Sequence, residues 1–282
     1  MTERVAWRLL FSRTMKHTAF VILGLTSSLL ACGAQGEAAV QSGKQRVVDS
    51  SGGTVALGID DKTPYRPAEA GCAGGITGTI ALQGTARDSL IAVAKDPKVC
   101  GDSAAVHETV SDGTSLGNVL VWVDGIDSGK PLPEVRRETL TIEHCRFEPR
   151  IMAVAAKTTI NVFSRDHATH EIDFYREGGD QPIEQIRTVD EGQVVPSEKI
   201  ASQPGIVEIR CKEHNFVRGY IAVFDHPYFA VTDANGAFKI DGLPAGTYTV
   251  KIWHERLAQP MTQRVIVQAT GEARLDASVA LR

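Results

Sequence analysis

An all-β fold made of two sandwiches is the class this sequence predicts, and three observations predict it. Short runs rich in β-branched and aromatic residues recur at 76–82, 119–123, 139–142, 158–163, 206–210, 220–224, 238–240, 247–253 and 264–267, punctuated by Gly, Pro or Asp. No long stretch carries a 3.6-residue apolar period, and no Gly-rich strand-turn-helix phosphate loop is present, so nucleotide-binding folds are set aside. With 282 residues, 43% of them apolar, the chain has material for two or three domains with buried cores and is neither disordered nor collagenous.

The first 31 residues read as an address. A basic stretch through Lys16 precedes an apolar run at 19–30, too short to span a bilayer but suited to a signal-peptide core. The run closes with Leu29, Leu30, Ala31 and Cys32. That ending resembles a bacterial lipobox, which implies removal of 1–31 and a diacylglycerol anchor on Cys32. The alternative is an ordinary secretory signal; either way the body is expected in the periplasm or at the cell envelope. Residues 32–75 are expected to form a flexible tether to the membrane, their first part being rich in Gly, Ala, Ser and Gln. The whole chain has a formal charge of -4, and the basic leader hides a more acidic body. Such a body with no basic stripe has nothing to replace the counterions of a phosphate backbone, which excludes nucleic acid as a partner.

Four cysteines remain beyond the leader: Cys72, Cys100, Cys145 and Cys211. They permit three connectivities, and spacing alone does not choose among them. If Cys211 serves a metal, three are left; the pair expected is Cys100 with Cys145, with Cys72 free.

The segment 137–225 carries the chemistry. In Val207, Ile209 and Cys211 the two-residue period of a strand puts the thiol on the apolar side, opposite Glu208 and Arg210. The same count along His170, Ile172 and Phe174 turns the imidazole inward, opposite Glu171 and Asp173. His214 follows Cys211 by three residues on a short connection. One thiolate and two imidazoles so placed suit the trigonal set of a blue-copper centre. Zinc, the lesser alternative, needs a fourth donor such as His167 or Glu213. Cys211 with His214 is also a formal nucleophile and base, but no orienting Asn or Asp motif accompanies it, and a thiol enzyme is set aside.

The segments LTIEHCRFEPRI, DHATHEIDF and CKEHNFVRGYIAVFD resemble, in that order and over about ninety residues, a cupredoxin of the plastocyanin and amicyanin type. The resemblance implies a Greek-key sandwich over 137–225, copper held by His170, Cys211 and His214, and a redox partner protein. Two positions depart from the pattern: Val217 stands where the loop would carry an axial methionine, and Glu171 stands where an asparagine commonly follows the first histidine. The axial contact in such sites is long and weak, so a three-coordinate centre, or one completed by the Thr169 carbonyl, is compatible with copper.

After position 225 the run HPYFAVTDANGAFKIDGLPAGTYTVKIWHERL resembles the carboxypeptidase regulatory-like domain, a small transthyretin-like sandwich, expected over 226–282. Asn235-Gly236 suits a tight hairpin, Pro244 and Gly246 mark the next turn, and Tyr248, Val250 and Ile252 share one strand face. The peptidase's own zinc-binding and catalytic residues are absent, so no peptidase activity is implied. The combination is similar to exported proteins labelled methylamine utilization or plastocyanin-like. Residues 76–136 form a β-rich segment whose GGITGTIALQG and GNVLVWVDGI look like opening strands of that second sandwich, with the cupredoxin inserted between its parts. His226 and His254 are expected to make structural hydrogen bonds near the domain junction. The function expected is copper binding, with electron transfer or copper handling and no enzymatic activity; the competing class is a metal-free binding or scaffold module.

Overall fold

The computed structural model describes residues 64–68, 71 and 73–281. The leader 1–31, the anchor Cys32, the tether through 63 and Cys72 lie outside the described residues. The regular secondary structure described is nearly all strand, with one helical turn at Pro97–Cys100.

Two sheets of the segment 137–225 face each other. One runs in the order Val194–Ala201, Thr158–Ser164, Arg137–Glu143, Arg146–Glu148; the other in the order Pro182–Thr188, His170–Arg176, Gly205–Cys211, Arg218–Phe224, Ile151–Ala155. Alternation places Leu140, Ile142, Ile160 and Val162 from the first sheet against Ile172, Phe174, Val207 and Ile209 from the second, all buried in one core. The polar faces of the same strands carry Glu171, Glu208 and Arg210, more open to solvent than the core.

The second sandwich is discontinuous in the chain. Ala73–Leu82 pairs with Ala237–Pro244 on one side and with Glu272–Arg274 and Ala277–Val279 on the other. Leu120–Asp124 pairs with Phe229–Val231 and Gly246–Trp253, which in turn pairs with Met261–Val267. Residues 226–282 therefore do not form a closed unit by themselves: their sheets are completed by strands from 73–124, and the first sandwich is inserted between the two parts. Ile76, Ile80, Val121, Val123, Ile240 and Val250 fill the core. Gly78 sits in the centre of this sandwich because a Cβ there would run into the Leu275 carbonyl. The expected tether also ends earlier than position 75. Arg66–Pro67 pairs with Ser128–Gly129, and the half-buried Tyr65 donates its hydroxyl hydrogen bond to the Lys130 carbonyl at 2.7 Å. The body thus starts by Tyr65, since an aromatic side chain with an apolar shelf to cover does not stay in a tether.

Where the sandwiches meet, Trp122, Ile151, Ile206, Phe224 and Trp253 form a third apolar cluster. Beside it the buried Arg150 reaches both carboxylate oxygens of Glu255, at 2.9 and 3.0 Å, and the Val106 carbonyl at 3.2 Å. The two junction histidines accept local backbone hydrogen bonds: His226 Nδ1 from Tyr228 at 3.1 Å and His254 Nδ1 from Arg256 at 3.2 Å. Burial, reinforced by the Arg150 and Arg256 charges, pushes His254 down to about 4. A histidine whose folded pKa lies below its unfolded value stabilises the fold fully above pH 6.5, and that stability is lost as pH falls toward 4. On acidification from pH 7 to pH 4, wild type is expected to lose on the order of 2–3 kcal/mol more unfolding free energy than His254→Gln. Urea titrations of both proteins at the two pH values check this; parallel losses would remove His254 from the account.

Candidate metal centre

Cys211 ends the strand Gly205–Cys211 and His170 begins His170–Arg176, and the two strands are neighbours, with Cys211 opposite Ile172. Adjacent strands in this register bring the thiol and the first imidazole together. The connection after Cys211 then folds back tightly: Val217 donates its amide to the His214 carbonyl at 2.9 Å, and Cys211 donates its own to the Val217 carbonyl at 3.2 Å. This turn returns His214 over the strand end. All three side chains are buried.

The geometry has a consistent polarity. Cys211 Sγ lies 3.7 Å from His170 Nδ1 and 3.8 Å from His214 Nδ1, and the ring centroids are 5.0 Å apart. Each imidazole turns its other nitrogen to a carboxylate: His170 Nε2 to Asp166 at 3.0 Å and His214 Nε2 to Asp96 at 3.1 Å. A carboxylate only accepts, so each Nε2 carries hydrogen; Nδ1 then presents its lone pair to the centre whenever the ring is neutral, which for His170 means that a bound ion displaces the Nδ1 proton. An ion about 2.0 Å from each nitrogen and about 2.3 Å from the sulfur requires S···N separations of about 3.7 Å at trigonal angles and about 3.5 Å at tetrahedral ones. The observed pair fits the trigonal case. The donor set, its spacing and its carboxylate-backed imidazoles therefore fit a soft or borderline metal ion.

Asp166 does more than orient a ring. It accepts the amides of His144 at 2.6 Å and Cys145 at 2.8 Å, the two residues of a hairpin turn with φ of 50° and 57°. Two consecutive left-handed residues are what a two-residue hairpin of this hand demands, and neither is a glycine. Burial alone would raise the Asp166 pKa, but the His170 hydrogen bond and the two amides hold it below the ordinary carboxylate range. Burial likewise opposes charge on His170, yet Asp166 and Cys211 together raise its pKa to about 9, whereas burial and the neighbouring His170 lower that of His214.

Cys100 and Cys145 are joined by a disulfide, and among the described residues Cys211 is the free cysteine. The disulfide sulfurs lie within 4.8 Å of a His214 ring nitrogen. The two fourth donors expected for zinc stand elsewhere. His167 is exposed and faces Asp190 and Glu191, so its ring is engaged at the surface; Glu213 pairs with Lys95. Val217 is buried beside the turn and supplies no donor atom, and Thr169, one residue before His170, is half-buried. Sequence reasoning did not single out Asp166 or Asp96. The first stands four residues before His170 without a marking pattern, and the second is 118 residues from His214.

No family model matches this sequence, and no curated protein matches it. Among solved structures, a reduced amicyanin variant is similar over 36% of this chain and 97% of its own, at 18% identity and a TM-score of 0.28. A purple cupredoxin from Nitrosopumilus maritimus is similar over 31% of this chain and 98% of its own, at 14% identity and a TM-score of 0.26. A copper-containing nitrite reductase from Thermus scotoductus is similar over 36% of this chain but 24% of its own, at 20% identity and a TM-score of 0.27. At such scores these likenesses carry no weight beside the geometry, on which the assignment of the centre rests.

Proposed function

We propose that this chain is a copper-binding electron-transfer protein of the cell envelope, anchored by lipid on Cys32 and holding one ion through His170, Cys211 and His214. The observation that carries the reading is the convergence of two Nδ1 atoms on one thiol at trigonal separations, each ring backed by a carboxylate. Copper, when bound there, supplies a one-electron couple accessible without ligand loss, because thiolate and imidazole suit both oxidation states. The chain's own work is to hold that set still. Strand pairing fixes Cys211 against His170, the Val217 turn fixes His214, and Asp166 fixes the His170 ring. Burial of all three ligands excludes bulk water and supports a carrier rather than an enzyme that admits a substrate to the ion. The partner is then a redox protein that meets the outer surface.

Cu(II) added to the folded protein is expected to bind at one equivalent with an intense thiolate-to-copper band. Stoichiometric zinc without such a band, or no metal in correctly folded protein with a reduced Cys211, would overturn the copper reading and leave a scaffold module. Val217→Met adds a thioether that stabilises the oxidised ion, so it is expected to keep the band and lower the reduction potential. Protein-film voltammetry of the two proteins reads the shift, and a raised potential would contradict an axial place for position 217.

A further inference from the structure

The segment Leu90–Ala105 belongs by sequence to the second sandwich, lying between its strands Ala73–Leu82 and Leu120–Asp124. In space it covers the metal end of the inserted one. Val93, Cys100 and Ala104 are buried in the inserted sandwich's core, Cys100 is bonded to Cys145, and Lys95 pairs with Glu213, the neighbour of His214. At the centre of this cover stands Asp96, whose carboxylate faces His214 Nε2 at 3.1 Å while the His214 side chain has no solvent exposure.

The backbone around Asp96 marks it out. It is the N-cap of the turn Pro97–Cys100, where an aspartate ordinarily spends its side chain on the first free amides of the helix. Here it makes no side-chain cap bond, and its own φ is 53°. Its carbonyl instead receives the amides of Val99 and Cys100, both at 2.9 Å. A non-glycine residue held in the left-handed region with its capping role given up is local strain of the kind found at functional sites. What the strain accomplishes is visible: it aims the carboxylate at the imidazole.

We propose that Asp96 is a positioning residue of the metal centre, supplied by the other sandwich. It accepts the Nε2 hydrogen of His214, so that Nδ1 presents its lone pair toward Cys211, and the Cys100–Cys145 disulfide holds it in reach. The inference rests on the reading of His214 as a ligand, but its first test needs no metal. In metal-free protein, ¹⁵N NMR of the imidazoles is expected to show His214 as the Nε2–H tautomer in wild type, a mixture in Asp96→Gly, and the wild-type tautomer again in Asp96→Asn, whose carboxamide oxygen still accepts. Asp96→Gly relaxes the left-handed backbone rather than straining it, so a shifted tautomer there is not a folding defect. Cu(II) affinity is expected to fall 10–100-fold in Asp96→Gly, as for other groups that orient a metal-bound histidine, and to recover in part in Asp96→Asn. Replacing Cys100 and Cys145 together by Ser is expected to give a loss of similar size that Asp96→Gly does not enlarge. An unchanged tautomer in Asp96→Gly overturns the proposal, as does a loss that simply adds to that of the cysteine variant. If wild type binds no copper, the copper reading fails while the tautomer result still decides the role of Asp96.

Discussion

Cys211→Ser is expected to abolish the thiolate-to-copper band and to reduce copper binding from one equivalent to a weak remnant. The serine hydroxyl is a hard donor with a pKa far above neutrality, so it offers neither the charge nor the softness that holds copper in both oxidation states. The residue is buried at a strand end between core neighbours, and a swap of sulfur for oxygen changes its volume little, so the fold is expected to survive. Metal analysis and an absorption spectrum on the same folded sample check this. A variant that keeps both the stoichiometry and the band would remove Cys211 from the ligand set.

Arg150→Ala is expected to cost about 3–5 kcal/mol of unfolding free energy, the range for breaking a buried ion pair from one side. Its partner Glu255 is buried to 3% side-chain exposure and would be left with only the partly exposed His107, 3.7 Å away, and the charge of Arg256 to offset it. Burial already raises the Glu255 pKa, with Arg150 pulling it back down. Without the arginine the folded pKa climbs further above its unfolded value, so the deficit is greatest at neutral pH and shrinks as pH falls and Glu255 takes up a proton. Arg150→Met with Glu255→Gln removes both charges and is expected to recover most of the loss. Urea denaturation at pH 7 and pH 5 measures all three; a loss under about 1 kcal/mol for Arg150→Ala would mean the pair is effectively solvated.

The legible parts of this molecule are those where one strand carries its own evidence. Val207, Ile209 and Cys211 alternate with Glu208 and Arg210 on a single strand, so the inward thiol could be counted off, and His170 with Ile172 and Phe174 gave the same signal. Edge strands were harder: Pro182–Thr188 is largely polar, with Ile186 and Thr188 as its buried residues, and a half-solvated edge has little alternation to read. The long-range polar partners were not legible at all. Asp96 and Arg150 act through side chains that meet partners more than a hundred positions away, and local periodicity holds no information on such pairs. The insertion was only suggested by two Gly-bounded runs, because pairing between Ala73–Leu82 and Ala237–Pro244 is a property of register rather than of either strand.

That pairing sets an order on folding. Thr77 and Phe238, hydrogen-bonded across it, are 161 positions apart, so the central strand of the outer sandwich waits for most of the chain to be made. The inserted strands, by contrast, find their partners within 137–225. Once that insert has closed, its two ends emerge together at the junction, and the loop the outer sandwich must close is effectively short, which reduces the entropic barrier to its long-range pairing. Nucleation is expected to start in the inserted sandwich and spread outward: a lesion in the inner core is expected to delay both halves, whereas one in the outer core is expected to spare the inner strands.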